Sequence, residues 1–170
     1  MRSLQILKFF LFLFGMSRVI VCFFEIGLSI MHLINPERGL ALNLYGYEVN
    51  QSLPHSWLYL LAYTVSYVIF ILGLYKIKEA VDELFLLRIF EHKVSQSFFQ
   101  AGNAFLISAI LNYLIFTLLQ SQHGSATLLP EFEGTFESVY FHVIIGLLLR
   151  ILGVVLNIAN GIKAENDLTI

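Results

Sequence analysis

Three ionisable residues lie inside apolar segments of this chain, where a charge is costly and therefore informative. Arg18 and Glu25 fall in the first long apolar run, and Arg150 falls in the last. Charged side chains within membrane-spanning helices usually face the bundle interior, pair with one another and mark binding or transport sites. The first candidate chemistry is therefore ion pairing within a bilayer, or binding of an anionic group there.

Helical spacing suggests which of these residues meet. Arg18 and Glu25 are seven residues apart, which places both on one face of the first helix. An antiparallel fourth helix brings Arg150 and His142 to that face, and Asn112 of the third helix is a further hydrogen-bond partner. We therefore expect an Arg18–Glu25–Arg150 cluster. Its surplus positive charge suits an anionic ligand or a lipid headgroup.

Three interpretations of this predicted cluster stay open. Interhelical polar contacts are a common packing device in membranes, so the cluster can be a structural staple that fixes helix register. Buried charge also marks ligand and ion pathways, and it occurs in proton relays. The residue types alone do not distinguish a packing device from a ligand or ion pathway or from a proton relay.

Histidines offer a weaker candidate for a haem or metal site. No HxxxH, HxH or CxxC spacing links them, and each comes from a different segment. We therefore expect no metal and no cofactor, and a haem or metal protein remains the second alternative. The histidines assigned to the outer half are His32, His55, His123 and His142, and His92 lies on the other side.

Enzymatic signatures are absent from the sequence. It contains no G-x-S-x-G, H-E-x-x-H or P-loop pattern, and no paired carboxylates at a catalytic spacing. We therefore expect no enzyme and no catalytic residue.

The elements that position these residues are four apolar runs, each about as long as the 20 residues that a spanning helix needs. Apolar residues make up 58% of the chain and charged residues 13%, against about 45–50% and 25% in soluble domains. The sequence thus predicts an all-α integral membrane protein: one domain over residues 1–170, folded as an antiparallel four-helix transmembrane bundle. The spans are 9–33, 56–74, 101–119 and 139–158.

Basic residues are distributed unevenly about these spans. Because Lys and Arg accumulate in cytoplasmic segments, both termini and the middle connector are predicted to be cytoplasmic in a multi-pass cell-membrane protein. One basic residue, Arg38, falls on the opposite side. The residues on the predicted cytoplasmic side are Arg2, Lys8, Lys76, Lys78, Arg88, Lys93 and Lys163.

The connector, residues 75–100, contains no Gly or Pro and has helical periodicity. Its apolar positions, such as Ile77, Val81 and Leu84, share one face, which predicts an amphipathic cytoplasmic helix near the membrane surface. It either packs under the bundle or docks a cytosolic partner. The candidate docking residues are Lys76, Lys78, Asp82, Glu83 and Arg88.

Two packing features are also predicted. Between the first two spans, a run of apolar residues indicates a short extended or hairpin-like piece lying on the bundle, and these residues are Leu40, Leu42, Leu44, Tyr45, Tyr47 and Val49. Helices joined by loops are expected to pack side by side, with the first and fourth meeting to close the bundle. Small residues permit close approach between helices, and the candidates are Gly15, Gly27, Gly73, Gly102, Gly146 and Gly153.

Three sequence stretches carry a resemblance to a known family. The second span runs into LYKIKEAVDELFLLRIFEHKVSQSF, the third begins SFFQAGNAFLISAIL with Gly102, and the tail ends KAENDLTI. The chain resembles the small bacterial four-span membrane proteins of domain of unknown function (DUF) 2975. That family has no established biochemical activity. Its members are often encoded beside a small helix-turn-helix repressor, so the resemblance implies a bacterial inner-membrane protein with a regulatory partner.

Together these features predict a non-enzymatic regulatory or accessory membrane protein that docks a cytosolic protein through its connector and tail. Its partners are the bilayer and that protein. The net charge of −2 favours neither nucleic acid nor anionic lipid as a direct partner, and no direct nucleic-acid binding is expected. A homo-oligomer is left open. The alternative function is a small transporter or ligand-binding sensor that uses the Arg/Glu cluster.

Overall fold

The computed structural model describes residues 2–34, 42–44, 47–49, 56–86, 91–123 and 139–168. Four long helices make up most of this described part, and a pair of short strands, β1 (Leu42–Leu44) and β2 (Tyr47–Val49), lies between the first two. All four helices are long and apolar enough to cross a membrane. The helices are α1 (Arg2–Ile34), α2 (Ser56–Phe85), α3 (His92–His123) and α4 (Val139–Leu168).

The helices are longer than the apolar runs that predicted them. The 30 residues of α2 extend about 45 Å at 1.5 Å per residue, whereas the hydrocarbon core is about 30 Å thick. Its polar final turns therefore project beyond the hydrocarbon. Each helix has a spanning part and at least one end that meets water or lipid headgroups.

Contacts between helices show that sequential neighbours run antiparallel. Ser66 of α2 contacts Ser108 of α3, and further along α2 Ala80 packs with Val94, which lies earlier in α3. The same reversal holds between α1 and α2 and between α3 and α4. The predicted antiparallel arrangement is confirmed. We call the end with the α2–α3 connection and both termini the connector end, and the opposite end the loop end.

Helix α3 is the central element. It packs extensively against α2 and α4, whereas the extensive contacts of α1 are with α2. Side-by-side packing of sequential helices is therefore confirmed. The prediction that the first and fourth helices pack together to close the bundle was wrong, because α2 and α3 take up those contacts. The helices meet instead around Phe70, Leu74 and Phe105, with Phe14 and Leu149 at the margin.

The predicted hairpin is present at the loop end. Buried Leu44 packs with Tyr59 and Leu60 of α2 and with Ile115 and Leu119 of α3. Leu44 therefore packs the hairpin against α2 and α3 at this end of the molecule. The antiparallel register pairs Leu42 with Val49, Asn43 with Glu48 and Leu44 with Tyr47.

Glycines allow α3 and α4 to approach closely. A Cβ built on Gly102 would lie 2.6 Å from the carbonyl oxygen of Gly146, and one on Gly153 would lie 2.8 Å from a backbone oxygen of α3. Around Gly15 and Gly27, no described atom lies within 4 Å of the added Cβ. Close approach is therefore confirmed for one set of glycines, Gly73, Gly102, Gly146 and Gly153.

The predicted connector is divided between two helices. Helix α2 continues to Phe85, so the predicted helical continuation of the second span into the connector is confirmed. The predicted helix does not extend over the whole of residues 75–100, because α3 begins at His92 and runs antiparallel to α2. Its apolar face is confirmed, because Ala80 and Val81 are 0% and 2% exposed. That face packs against α3, which extends the two helices as a pair beyond the hydrocarbon.

Candidate functional site

The structure places the described members of the predicted Arg/Glu cluster at separate helix contacts. Arg18 lies between α1 and α2, Asn112 between α2 and α3, and Arg150 between α3 and α4. His142 lies among aromatic rings of α2 and α3. The backbone of Glu25 belongs to α1, and its side chain lies outside the described part of the structure.

Arg18 links the first two helices. Its Nη1 lies 3.4 Å from the Tyr67 hydroxyl oxygen, and its guanidinium carbon is 5.0 Å from the centroid of the Phe14 ring. A cation over an aromatic face gains electrostatic attraction that increases as water is removed. These contacts accommodate the Arg18 charge within the apolar part of α1.

Asn112 belongs to a buried polar network between α2 and α3. Ser66 Oγ lies 2.7 Å from Asn112 Oδ1 and 3.0 Å from Ser108 Oγ. One hydroxyl carries one proton, so a Ser66 hydroxyl that donates to Asn112 accepts from Ser108. The three side chains are 1%, 7% and 0% exposed, in the order Ser66, Asn112 and Ser108. This geometry is that of an interhelical staple in an apolar environment.

Sequence reasoning found Asn112 but missed Ser66 and passed over Ser108. The available signal was that Ser108 and Asn112 are four residues apart, on one face of α3. The partner on α2 depends on how far the two helices slide past each other, which the sequence pattern does not specify.

His142 is buried in an aromatic cluster. Its ring centroid lies 4.8 Å from that of Phe70 and 6.2 Å from that of Phe105, and the residue is 5% exposed. Within the described residues, no group of three or more His, Cys, Asp or Glu is arranged to hold a metal ion. In this setting His142 contributes to packing at the centre of the molecule.

Arg150 lies against α3. Its guanidinium carbon is 4.9 Å from the centroid of the Phe99 ring. Its aliphatic Cγ occupies the space beside Gly102, where an added Cβ would lie 2.6 Å away. In the described part of the chain no carboxylate forms an ion pair with Arg150. Among the described residues, the group that contacts the Arg150 charge is the Phe99 ring.

The charged residues proposed for docking form ion pairs along α2. Lys76 Nζ is 2.8 Å from Glu79 Oε2, and Lys78 Nζ is 3.3 Å from Asp82 Oδ2. Their spacings of three and four residues bring side chains together on one helix face. Arg88, the remaining docking candidate, lies outside the described residues.

Lysines of α1 and α3 complete this group, which we call the connector-end ion pairs. Lys8 Nζ lies 2.6 Å from Asp82 Oδ1, and Lys93 Nζ lies 2.7 Å from Glu83 Oε1 and 3.5 Å from Glu79 Oε1. Partly exposed ion pairs contribute about 0–1 kcal/mol each. Their main effect is therefore to orient three helix ends.

A groove of about 270 Å³ opens between α3 and α4 at the connector end. One wall belongs to the first two turns of α3 and the other to α4 just beyond Arg150. We call it the α3/α4 groove. Its lining residues are His92, Ser95, Gln96, Phe99, Gly153, Val154, Asn157 and Ile158.

Comparison with protein families gives a match that covers most of this architecture. The family described as "Protein of unknown function (DUF2975)" matches residues 45–170, which include α2, α3, α4 and the α3/α4 groove. The match begins after α1. No curated protein and no solved structure is detectably similar to the chain. The resemblance inferred from the connector and tail is thus confirmed, and the chain belongs to the DUF2975 family.

Proposed function

We propose that this membrane protein is a non-enzymatic regulator or accessory factor that binds a cytosolic protein at its connector end. In this proposal the connector end and both termini face the cytoplasm, as the excess of Lys and Arg on that side predicts. The partner class implied by the family is a small DNA-binding regulator. The protein itself binds no nucleic acid.

The observation that carries the proposal is the exposed end of α4. Residues 161–166 are helical and all exposed, and we call them the tail surface. Helix α4 packs against α3 along its earlier turns, so the tail surface projects beyond the packed core. It presents Ile162 beside Lys163 and Glu165, an apolar and charged mixture suited to a protein partner.

The connector-end ion pairs have a supporting role in this proposal. Lys76, Lys78, Asp82 and Glu83 each contact a charged group of the same chain, so binding a partner through them would first break those contacts. We assign the main docking contact to the tail surface, because it is exposed along its whole length. The ion pairs fix the helix ends beside it.

The test compares two charge exchanges that leave net charge unchanged. The tail variant carries Lys163→Glu with Glu165→Lys, and the control carries Lys76→Glu with Glu79→Lys, which preserves an ion pair within α2. Each is crosslinked in native membranes, purified and analysed by mass spectrometry. We expect a DNA-binding protein to be recovered about tenfold less with the tail variant, a change of about 1.4 kcal/mol, and unchanged with the control. Equal recovery with both would contradict the proposal.

A ligand-binding sensor or small transporter is the second candidate function. It is favoured by the position of Arg150, a cation within an apolar span with no acidic partner among the described residues. Failure of the crosslinking experiment to recover any specific protein, with all variants correctly inserted, would favour this function over docking.

A further inference from the structure

We infer that the α3/α4 groove binds the phosphate of an anionic membrane phospholipid, with Arg150 at its inner end. This site is independent of the protein docking proposed above and lies on a different surface of α4. Its argument rests on the direction of the Arg150 side chain, the chemistry of the groove and the position of the groove in the membrane.

The Arg150 side chain extends toward the connector end. Gly153 lies opposite Phe99, because a Cβ on Gly153 would be 2.9 Å from the Phe99 backbone nitrogen. Since the Arg150 guanidinium stacks on the Phe99 ring, it lies nearer the level of Gly153, one turn closer to the connector end than its own Cα. Arginines in membrane helices extend in this way to bring their charge toward headgroups.

The Arg150 guanidinium lies over the ring of Phe99, and Phe99 lines a groove whose polar side chains can donate hydrogen bonds. Gln96 and Asn157 are exposed amides on opposite walls, and His92 is an exposed imidazole at the outer end. None of the residues lining the groove is acidic. Arginine presents several N–H donors in a planar fork that matches phosphate oxygens, and stacking on an aromatic ring leaves its in-plane donors available.

Helix α3 adds to the positive potential of the groove. His92 is its first residue, so the groove opens at the N-terminus of a 32-residue helix. The helix dipole places partial positive charge at this end, which favours an anion. Together with Arg150, the helix end makes one side of the groove electropositive.

The position of the groove identifies a lipid as the source of the phosphate. Phe99, Val154 and Ile158 line the groove together with the polar groups, and Val154 and Ile158 are 47% and 58% exposed on spanning helix α4. Eight residues separate Arg150 from the end of the apolar run at Ile158, about 12 Å along the helix. A phospholipid places its phosphate at the polar end of the groove and its acyl chain along the apolar residues, whereas free phosphate has no apolar part.

The test measures lipid retention by the purified full-length chain in detergent. Phosphatidylglycerol and phosphatidylcholine are titrated separately, and bound lipid is counted by native mass spectrometry. The wild type is expected to bind phosphatidylglycerol more tightly. The variant R150Q should weaken this binding about tenfold, as expected for loss of a charge-assisted hydrogen bond, with little change for phosphatidylcholine. Equal affinity of the wild type for the two lipids would overturn the inference.

Three further variants separate the groove from general effects on charge and folding. V154W fills the groove without changing any charge and should also weaken phosphatidylglycerol binding, so it decides the question if R150Q does not fold. The matched controls V155W, on the neighbouring face of α4, and R18Q, between α1 and α2, should bind as the wild type does. Unchanged binding by V154W would overturn the site. Displacement of the lipid by an equal concentration of inorganic phosphate would overturn its assignment to a phospholipid.

Discussion

Ser66 and Asn112 illustrate how single polar residues are accommodated in an apolar span. Their 2.7 Å hydrogen bond joins two helices, and Ser108 supplies the remaining partner for the Ser66 hydroxyl. In a bilayer the alternative to this bond is an unsatisfied polar atom or a different helix partner. The network therefore specifies the register of α2 against α3 more than it adds stability.

Ser66→Ala is expected to destabilise the folded protein by about 0.6–2 kcal/mol, because it removes the interhelical hydrogen bonds of Ser66 with Asn112 and Ser108. Thermal unfolding in detergent measures the loss. The control is Ser121→Ala, whose hydroxyl bonds only to the Leu118 carbonyl of its own helix. In a double-mutant cycle, Asn112→Ala should cost less in the Ser66→Ala background than in the wild type. Additive losses would show that the two side chains are not coupled.

At the scale of elements, α3 organises the bundle and α1 is peripheral. In an 18-residue apolar stretch of α3, 44% of the residues are buried, against 6% in the corresponding stretch of α1. Most of the surface of α1 is therefore left for lipid, including exposed Phe9, Phe10, Phe23 and Phe24. The family match, which begins at residue 45, contains the three helices that share the core and leaves out α1.

Substitution of a glycine at the α3/α4 contact should lower stability more than substitution of a glycine on the lipid-facing helix α1. Gly102→Ala places a Cβ within 2.6 Å of the Gly146 carbonyl oxygen, and backbone must move to accept it. We expect a loss of about 1–3 kcal/mol, typical of overpacking, seen as a lower melting temperature in detergent. Gly27→Ala, which meets no described atom within 4 Å, is the matched control and should be neutral or slightly stabilising. Equal effects of the two substitutions would contradict the close contact.

For the whole molecule, Lys and Arg are concentrated at the connector end. The connector-end ion pairs join α1, α2 and α3 there, and the antiparallel order of the helices brings both termini to the same end. The group contains four lysines and three acids, namely Lys8, Lys76, Lys78, Lys93, Glu79, Asp82 and Glu83. Because Lys and Arg near the ends of spanning helices favour the cytoplasmic side during insertion, we expect this end to be cytoplasmic.

Single-cysteine labelling of intact cells tests this orientation. With Cys22 replaced by Ala, cysteines at Glu91 and Lys163 should resist a membrane-impermeant maleimide until the membrane is permeabilised, whereas one at Ser125 should react at once. The physical reason is the excess of Lys and Arg at the connector end. If the cysteine replacing Glu91 reacted in intact cells and the cysteine replacing Ser125 reacted only after permeabilisation, the topology would be reversed. The connector end would then not be cytoplasmic.

The class of molecule, the number of spans, the short piece between the first two spans and the family could be predicted from the sequence, because these depend on local hydrophobicity and on motifs. The apolar runs, the alternation around Leu44 and the KAENDLTI tail can each be recognised from residues that are close together in the sequence. The tertiary structure decided which distant side chains meet. Arg18 contacts Tyr67 of α2, whereas Arg150 contacts Phe99 of α3, although the two arginines carry the same charge. Such contacts depend on the order of the helices and on how far each is shifted and rotated against its neighbours. Close packing at residues such as Gly102 and Gly146 fixes these relative positions, and a shift of a few ångströms would change which side chains meet.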